Sequence, residues 1–181
     1  MKLFQIAFTG HREVNPKDIP AITEGVDLLR ELGWEIPVVF HIGGASGFDT
    51  LVFSRIWPSL NSVEVLHIPF QYQADALYTA VHTYHDEPYK EWLNFVTLCS
   101  SCGPKKDYVR PVDNHLYQKR NEHMVVSSDL LVSYFNGQPS GTKNCIDYAK
   151  SVGVPVVDIR ELTLDNLLDR TEENRRRGTL L

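Results

Sequence analysis

Five short apolar, β-branched-containing runs, each followed by a turn or a helix-like stretch, constrain this chain more than any other feature. They are Leu3 to Phe8, Val38 to Ile42, Val63 to Ile68, Leu130 to Phe135 and Val154 to Ile159. A strand with one wet face alternates apolar and polar residues. These runs are nearly continuous, so they read as strands buried on both faces, as in a parallel sheet. Between the first two, Ile19, Ile22, Val26, Leu29 and Leu32 recur at helical spacing from Asp18 to Leu32, and Gly33 reads as a C-terminal cap. Asp49 to Trp57 reads as a second helix stopped by Pro58, and Thr142 to Val152 as a third that ends at Gly153 with Pro155 beyond. Strand and helix in alternation imply right-handed crossovers. The expected fold is α/β, a Rossmann-like, doubly wound, mainly parallel sheet of about five strands in the order 3-2-1-4-5, with helices on both faces.

The stretch from 71 to 123 breaks the rhythm, being rich in Tyr, His and mixed charge and longer than one crossover needs. Helices are expected around Ala74 to Thr83, Pro88 to Phe95 and His115 to Ser127, with a loop from Ser100 to Asn114. The tail from Leu162 to Leu181 is charged, ends near Arg175-Arg176-Arg177, and reads as a solvated helix with a frayed end. No repeat or linker divides the chain, so residues 1–160 are expected to form a single domain, with 71–123 as an excursion and 161–181 as a charged tail.

Composition narrows the function. A formal net charge of −5 argues against a general binder of phosphate backbones, and no apolar run approaches the roughly 20 residues of a membrane span. The three cysteines, Cys99, Cys102 and Cys145, are an odd set with no signal-peptide pattern after Met1, which points to a reducing, cytoplasmic setting. Cys99-Ser-Ser-Cys102 lacks a clear second pair of ligands and reads as two thiols at a strand end, so neither a metal nor a cofactor is expected.

Ligands of doubly wound sheets sit beyond the carboxyl ends of the strands, where the strand order reverses. In the expected order the loops after strands one, two and four are neighbours, and each is unusual. The first is Thr9-Gly10-His11-Arg12, in which Gly10 permits close backbone approach while His11 and Arg12 offer donors to phosphate or carboxylate. The second, Gly43-Gly44-Ala45-Ser46-Gly47-Phe48-Asp49, precedes a helix, so its amides are candidates for an anion site. Ser46 adds a hydroxyl there, and Asp49 either caps the helix or accepts from a ribose hydroxyl or base amine. The third, Asn136 to Thr142, places Ser140, Gly141 and Thr142 at another helix start. On the helix before strand four, Tyr117, Arg120 and Met124 share one face, which turns Arg120 inward toward an anion or a buried acid.

Taken in order, these pieces resemble the SLOG superfamily, which includes the LOG-type phosphoribohydrolases and the Rossmann domain of DprA, and within it the YpsA-like branch. The resemblance runs from Phe8-Thr9-Gly10-His11-Arg12 through the glycine loop, Ile68-Pro69-Phe70, Arg120-Asn121, Ser128-Asp129 and Gly141-Thr142 to Val154-Pro155-Val156. It implies a Rossmann-like fold that binds nucleotides or their derivatives, and it is compatible with a homodimer. The leading expectation is sensing or sequestration of such a ligand by Thr9, Gly10, His11, Arg12, Gly43, Gly44, Ser46, Gly47, Asp49, Arg120, Ser140, Gly141 and Thr142. The alternative is a LOG-like N-glycosidase acting on a nucleoside 5′-monophosphate, with Arg120, Glu122 and Asp49 as its catalytic groups. For that reaction the sequence departs from the LOG motif: Pro139-Ser140 stands for the double glycine, and Cys145 for the glutamate. The DprA branch binds single-stranded DNA, and against that role stand the acidic balance and the missing basic stripe.

Overall fold

The computed structural model describes residues 3–56, 62–70, 72–73, 75, 79, 96–98 and 114–178. The expected helices over 74–83 and 88–95, the loop over 100–113, and the Cys99/Cys102 pair lie outside those residues, apart from Asp75 and Thr79.

The strands are β1 (Phe4–Gly10), β2 (Val38–Ile42), β3 (Ser62–Leu66), β4 (Val96–Leu98), β5 (Leu130–Tyr134) and β6 (Val156–Asp158). They form one parallel sheet in the order β4-β3-β2-β1-β5-β6. The fold class is therefore as read, with one more strand than the sequence showed. Val96–Leu98 was missed: it follows directly on the stretch read as a helix ending at Phe95. Gly10 pairs with Tyr134 at the carboxyl ends of β1 and β5. The chain steps outward from β1 through β2, β3 and β4, then returns to β1's other side. That reversal opens the crevice.

Alternation along each strand sends side chains to two cores. Phe4, Ile6 and Phe8 of β1, Val38, Phe40 and Ile42 of β2, and Leu130, Val132 and Tyr134 of β5 face one core. There they meet α1 (Ile19–Glu35) and α2 (Phe48–Ile56) through Ile22, Val26, Leu29, Val52 and Phe53. Ala7 and Leu131 face the other core, where α3 (Asn114–Val126) contributes Met124 and Val125, and α4 (Gly141–Val152) contributes Cys145, Ile146 and Ala149. Each Val, Leu, Ile, Phe or Met side chain so removed from water stabilises the fold by roughly 1.5–3 kcal/mol.

Helix boundaries depart from the reading most at α1. α1 continues through Gly33, which is buried, to Glu35. Pro37 sets the stop: it pushes Ile36 into an extended conformation (φ −137°, ψ 151°), and the Ile36 amide closes on Leu32. Gly153, by contrast, is a left-handed cap as read (φ 79°). In the charged tail, α5 (Leu164–Gly178) buries Leu167 in the first core, so this helix is docked on one side rather than solvated all round. Among the described residues, no helix is long and apolar enough to cross a membrane.

Candidate functional site: a cavity between the loops after β1, β2 and β5

Two loops are locked together before any ligand arrives. The Phe48 amide donates to the His11 carbonyl (3.2 Å), tying the end of β1 to the start of α2. Gly47 makes this approach feasible: its φ is +83°, and a Cβ there would collide with the Arg12 carbonyl. On the far side, Tyr134 donates its hydroxyl to Asp18 (2.8 Å) and accepts from the Asn15 amide (3.1 Å). Asp18 therefore serves the β1–α1 loop and makes no side-chain cap at its helix.

These elements leave a cavity of about 520 Å³ at the switch point. Its wall includes Thr9, Gly10, His11 and Arg12 from β1 and its loop, and Asp49 from α2. Arg120 comes from α3, and Ser140, Gly141 and Thr142 from the start of α4. Gly43, Gly44, Ser46 and Gly47 stand outside the wall, and only Ala45 of that loop reaches it. The reason is how the loop uses its backbone. The Ala45 amide donates to Asp49 Oδ2 (3.1 Å), and the Gly43 carbonyl accepts from Arg120 Nη1. Gly43 is required by that second contact, since a Cβ would meet Nη1 at 2.5 Å and Asp49 Oδ2 at 3.0 Å. Ser140, Gly141 and Thr142 of the wall stand at the start of α4, whose first-turn amides have no acceptor within the helix. Ser140 caps that turn by accepting from the Lys143 amide (3.3 Å).

Arg120 is buried and held from several directions. Its Nε donates to Asn121 Oδ1 (2.8 Å), Nη1 donates also to the His67 carbonyl (3.3 Å), and its guanidinium lies 5.8 Å from the Tyr117 ring centroid. Beneath it, His41 Nδ1 and His67 Nε2 are 2.8 Å apart and share one hydrogen bond, and His41 Nε2 meets Gln5 Oε1 at 2.9 Å. Burial is the main cause that lowers His41 to about 4 and His67 to about 3, so both rings are neutral at pH 7. The arginine thus brings a fixed positive charge over an uncharged floor.

Asp49 is the opposite pole. Burial raises its pKa to about 6, against the pull of Arg120, the Ala45 amide and Arg12. Its Oδ1 is buried without a hydrogen-bond partner among the described residues. His11 is also held below its ordinary pKa by burial; its ring stacks on Phe135 at 5.6 Å, and its Nε2 lacks a hydrogen-bond partner among the described residues. Glu122 does not reach the wall and accepts instead from Gln118 Nε2 (2.9 Å). Cys145 is buried behind Thr9, which hydrogen-bonds its sulfur, and burial pushes the thiol up to about 11.

Sequence reasoning missed Phe8, Ala45, Tyr117, Asn121, Met124 and Asn144 as wall residues. For Tyr117, Asn121 and Met124 a signal existed: with Arg120 they fall on one stripe of α3 at helical spacing.

No family model matches this sequence. It is 52% identical over 33 residues to the uncharacterized SPbeta prophage-derived protein YoqJ of Bacillus subtilis, a match of 18% of this chain and 19% of YoqJ. Among solved structures it is similar to DNA processing protein A (DprA) of Streptococcus pneumoniae, with TM-score 0.63 and 17% identity. It is also similar to DprA of Helicobacter pylori, a protein with a described single-stranded DNA binding mode, with TM-score 0.55 and 18% identity. These matches cover 97% and 86% of this chain, which spans 57% and 64% of the two DprA chains. The likeness overturns the expectation that set nucleic acid aside as a partner. That expectation rested on net charge, which averages over the whole surface, and on the lack of a basic stripe along the sequence, whereas Arg12 and Arg120 stand on one cavity wall. At the level of fold, the chain is a Rossmann-like α/β domain similar to those of the two DprA structures.

Proposed function

We propose that the cavity binds a nucleotide unit, with the phosphate at Arg12, Arg120 and the first turn of α4, and a sugar hydroxyl or base amine at Asp49. The observation that carries this reading is the meeting, in one cavity, of two arginines, a helix N-terminus and a buried carboxyl with an unpartnered oxygen. A phosphate is matched by the first two, and a hydrogen-bond donor by the last. Binding without turnover is favoured over glycosidic cleavage. Of the carboxyls weighed for catalysis, Asp49 lines the wall and Glu122 does not, and the thiol at the expected glutamate position is neutral and buried. The order of motifs from Thr9-Gly10 to Gly141-Thr142 supports the YpsA-like branch of the superfamily.

A second reading takes the same nucleotide unit as part of single-stranded DNA, and the fold shared with H. pylori DprA favours it. One experiment addresses both. Thermal unfolding is followed with nucleoside mono-, di- and triphosphates, NAD, ADP-ribose, cyclic nucleotides and short oligodeoxynucleotides, and each hit is chromatographed for released base. Ligand at a hundredfold over Kd stabilises by ~2.7 kcal/mol, a rise of several degrees for a domain of this size. The expected result is an intact ligand whose effect is lost in Arg12→Ala. Free base in the chromatogram would establish the glycosidase instead, and no shift with any compound would end the nucleotide reading.

A further inference from the structure

An aromatic cluster beside the cavity is not accounted for by a single bound nucleotide. Phe70 is fully buried, and Tyr72 stacks on it with ring centroids 5.9 Å apart and planes 13° from parallel. Tyr117, which forms part of the cavity wall, packs on the same Phe70 at 5.2 Å and 58°. The hydroxyls of Tyr72 and Tyr117 are hydrogen-bonded to each other. Next along the chain, Gln73 donates from Nε2 to the Gly44 carbonyl (3.2 Å), which pins this segment to the β2–α2 loop. Tyr72 is thus fixed through its ring, its hydroxyl and its neighbour, yet 47% of it is open to solvent. A ring held this firmly has little rotamer freedom left to lose when a planar group settles on it.

Resting on the nucleotide reading above, we propose that Tyr72 is a stacking platform for a second base. The ligand is then a two-base compound, two nucleosides joined through phosphate, either free or as the end of a single strand. The first base would stay in the cavity that Tyr117 helps to wall and the second would lie on Tyr72, with the linking phosphate passing the arginines. Aromatic stacking tolerates any base, since each has a π-face, so the platform would set the number of bases rather than their identity.

The test titrates the full chain with each of the four nucleoside 5′-monophosphates, then takes the tightest as its 5′-phosphorylated homodinucleotide and as a six-nucleotide strand. The dinucleotide is expected to bind about tenfold more tightly than the mononucleotide, within the range for one base on one ring. Tyr72→Ala should remove that gain while mononucleotide binding persists, at a melting temperature lowered by the lost stacking on Phe70 and the lost hydrogen bond to Tyr117. Tyr72→Phe, which keeps the ring and loses the hydroxyl, should retain most of the gain. A strand that binds like the dinucleotide supports a strand end as the source, and a strand that fails where the dinucleotide binds supports a free dinucleotide. Equal affinity for one and two bases, or an equal loss of both in Tyr72→Ala, overturns the platform and leaves the cavity reading standing. Failure of every mononucleotide and dinucleotide overturns both.

Discussion

Asp49→Asn probes the electrostatics of the cavity most directly. The carboxyl is 4% exposed, and burial raises its pKa from 3.8 to about 6. A folded-state pKa above the unfolded one means that the folded chain holds the proton more tightly. The stability that this proton contributes is fully present below pH 3.8 and is lost as pH rises toward 6. Each factor of ten in proton affinity is worth about 1.4 kcal/mol, so the loss across that window is ~3 kcal/mol. Asparagine has nearly the same shape, can still accept from the Ala45 amide, and does not ionise in this range. At pH 7 the variant should therefore be more stable than wild type by up to ~3 kcal/mol, roughly 6–12 °C in Tm for a domain of this size. At pH 4 the two should nearly coincide. Urea unfolding of both proteins from pH 4 to pH 8 measures the difference directly. A difference that does not change with pH, or a variant less stable than wild type at pH 7, would show that Arg120 outweighs desolvation and that the reasoning is wrong. A neutral-pH gain in stability with loss of ligand binding is the trade expected at a functional site.

Two further outcomes follow from the packing. Gly47→Ala should lower unfolding stability by at least ~2 kcal/mol, because an alanine is disfavoured at φ +83° and its Cβ strikes the Arg12 carbonyl; urea midpoints that match wild type would refute the locked-loop description. In a Cys99→Ser, Cys102→Ser background, Cys145 should react with iodoacetamide at least about a hundredfold more slowly in the folded chain than in urea, since its thiol is pushed from 9.0 to about 11. Equal rates would place that sulfur at the surface.

Much of the architecture was legible in the residues. Continuous β-branched runs can be buried only when both faces are covered, which requires helices on each side and hence parallel strands. Chirality and short connections then leave few strand orders, and the one expected places Thr9 to Arg12, Asp49, Arg120 and Ser140 to Thr142 around a single crevice. What local sequence could not decide was the direction in which each backbone group points. The glycines of Gly43 to Gly47 read as amides awaiting an anion, but the fold brings Arg120 from a distance of 77 positions onto the Gly43 carbonyl, and that contact uses the glycine's missing side chain. Likewise the titration of Asp49 and of the His41–His67 pair is a property of burial, and burial depends on the whole tertiary packing. The sequence alone determined which groups could gather at the switch point; the tertiary structure decided which face the cavity and which hold its wall, because each polar atom's partner is settled only when distant segments meet.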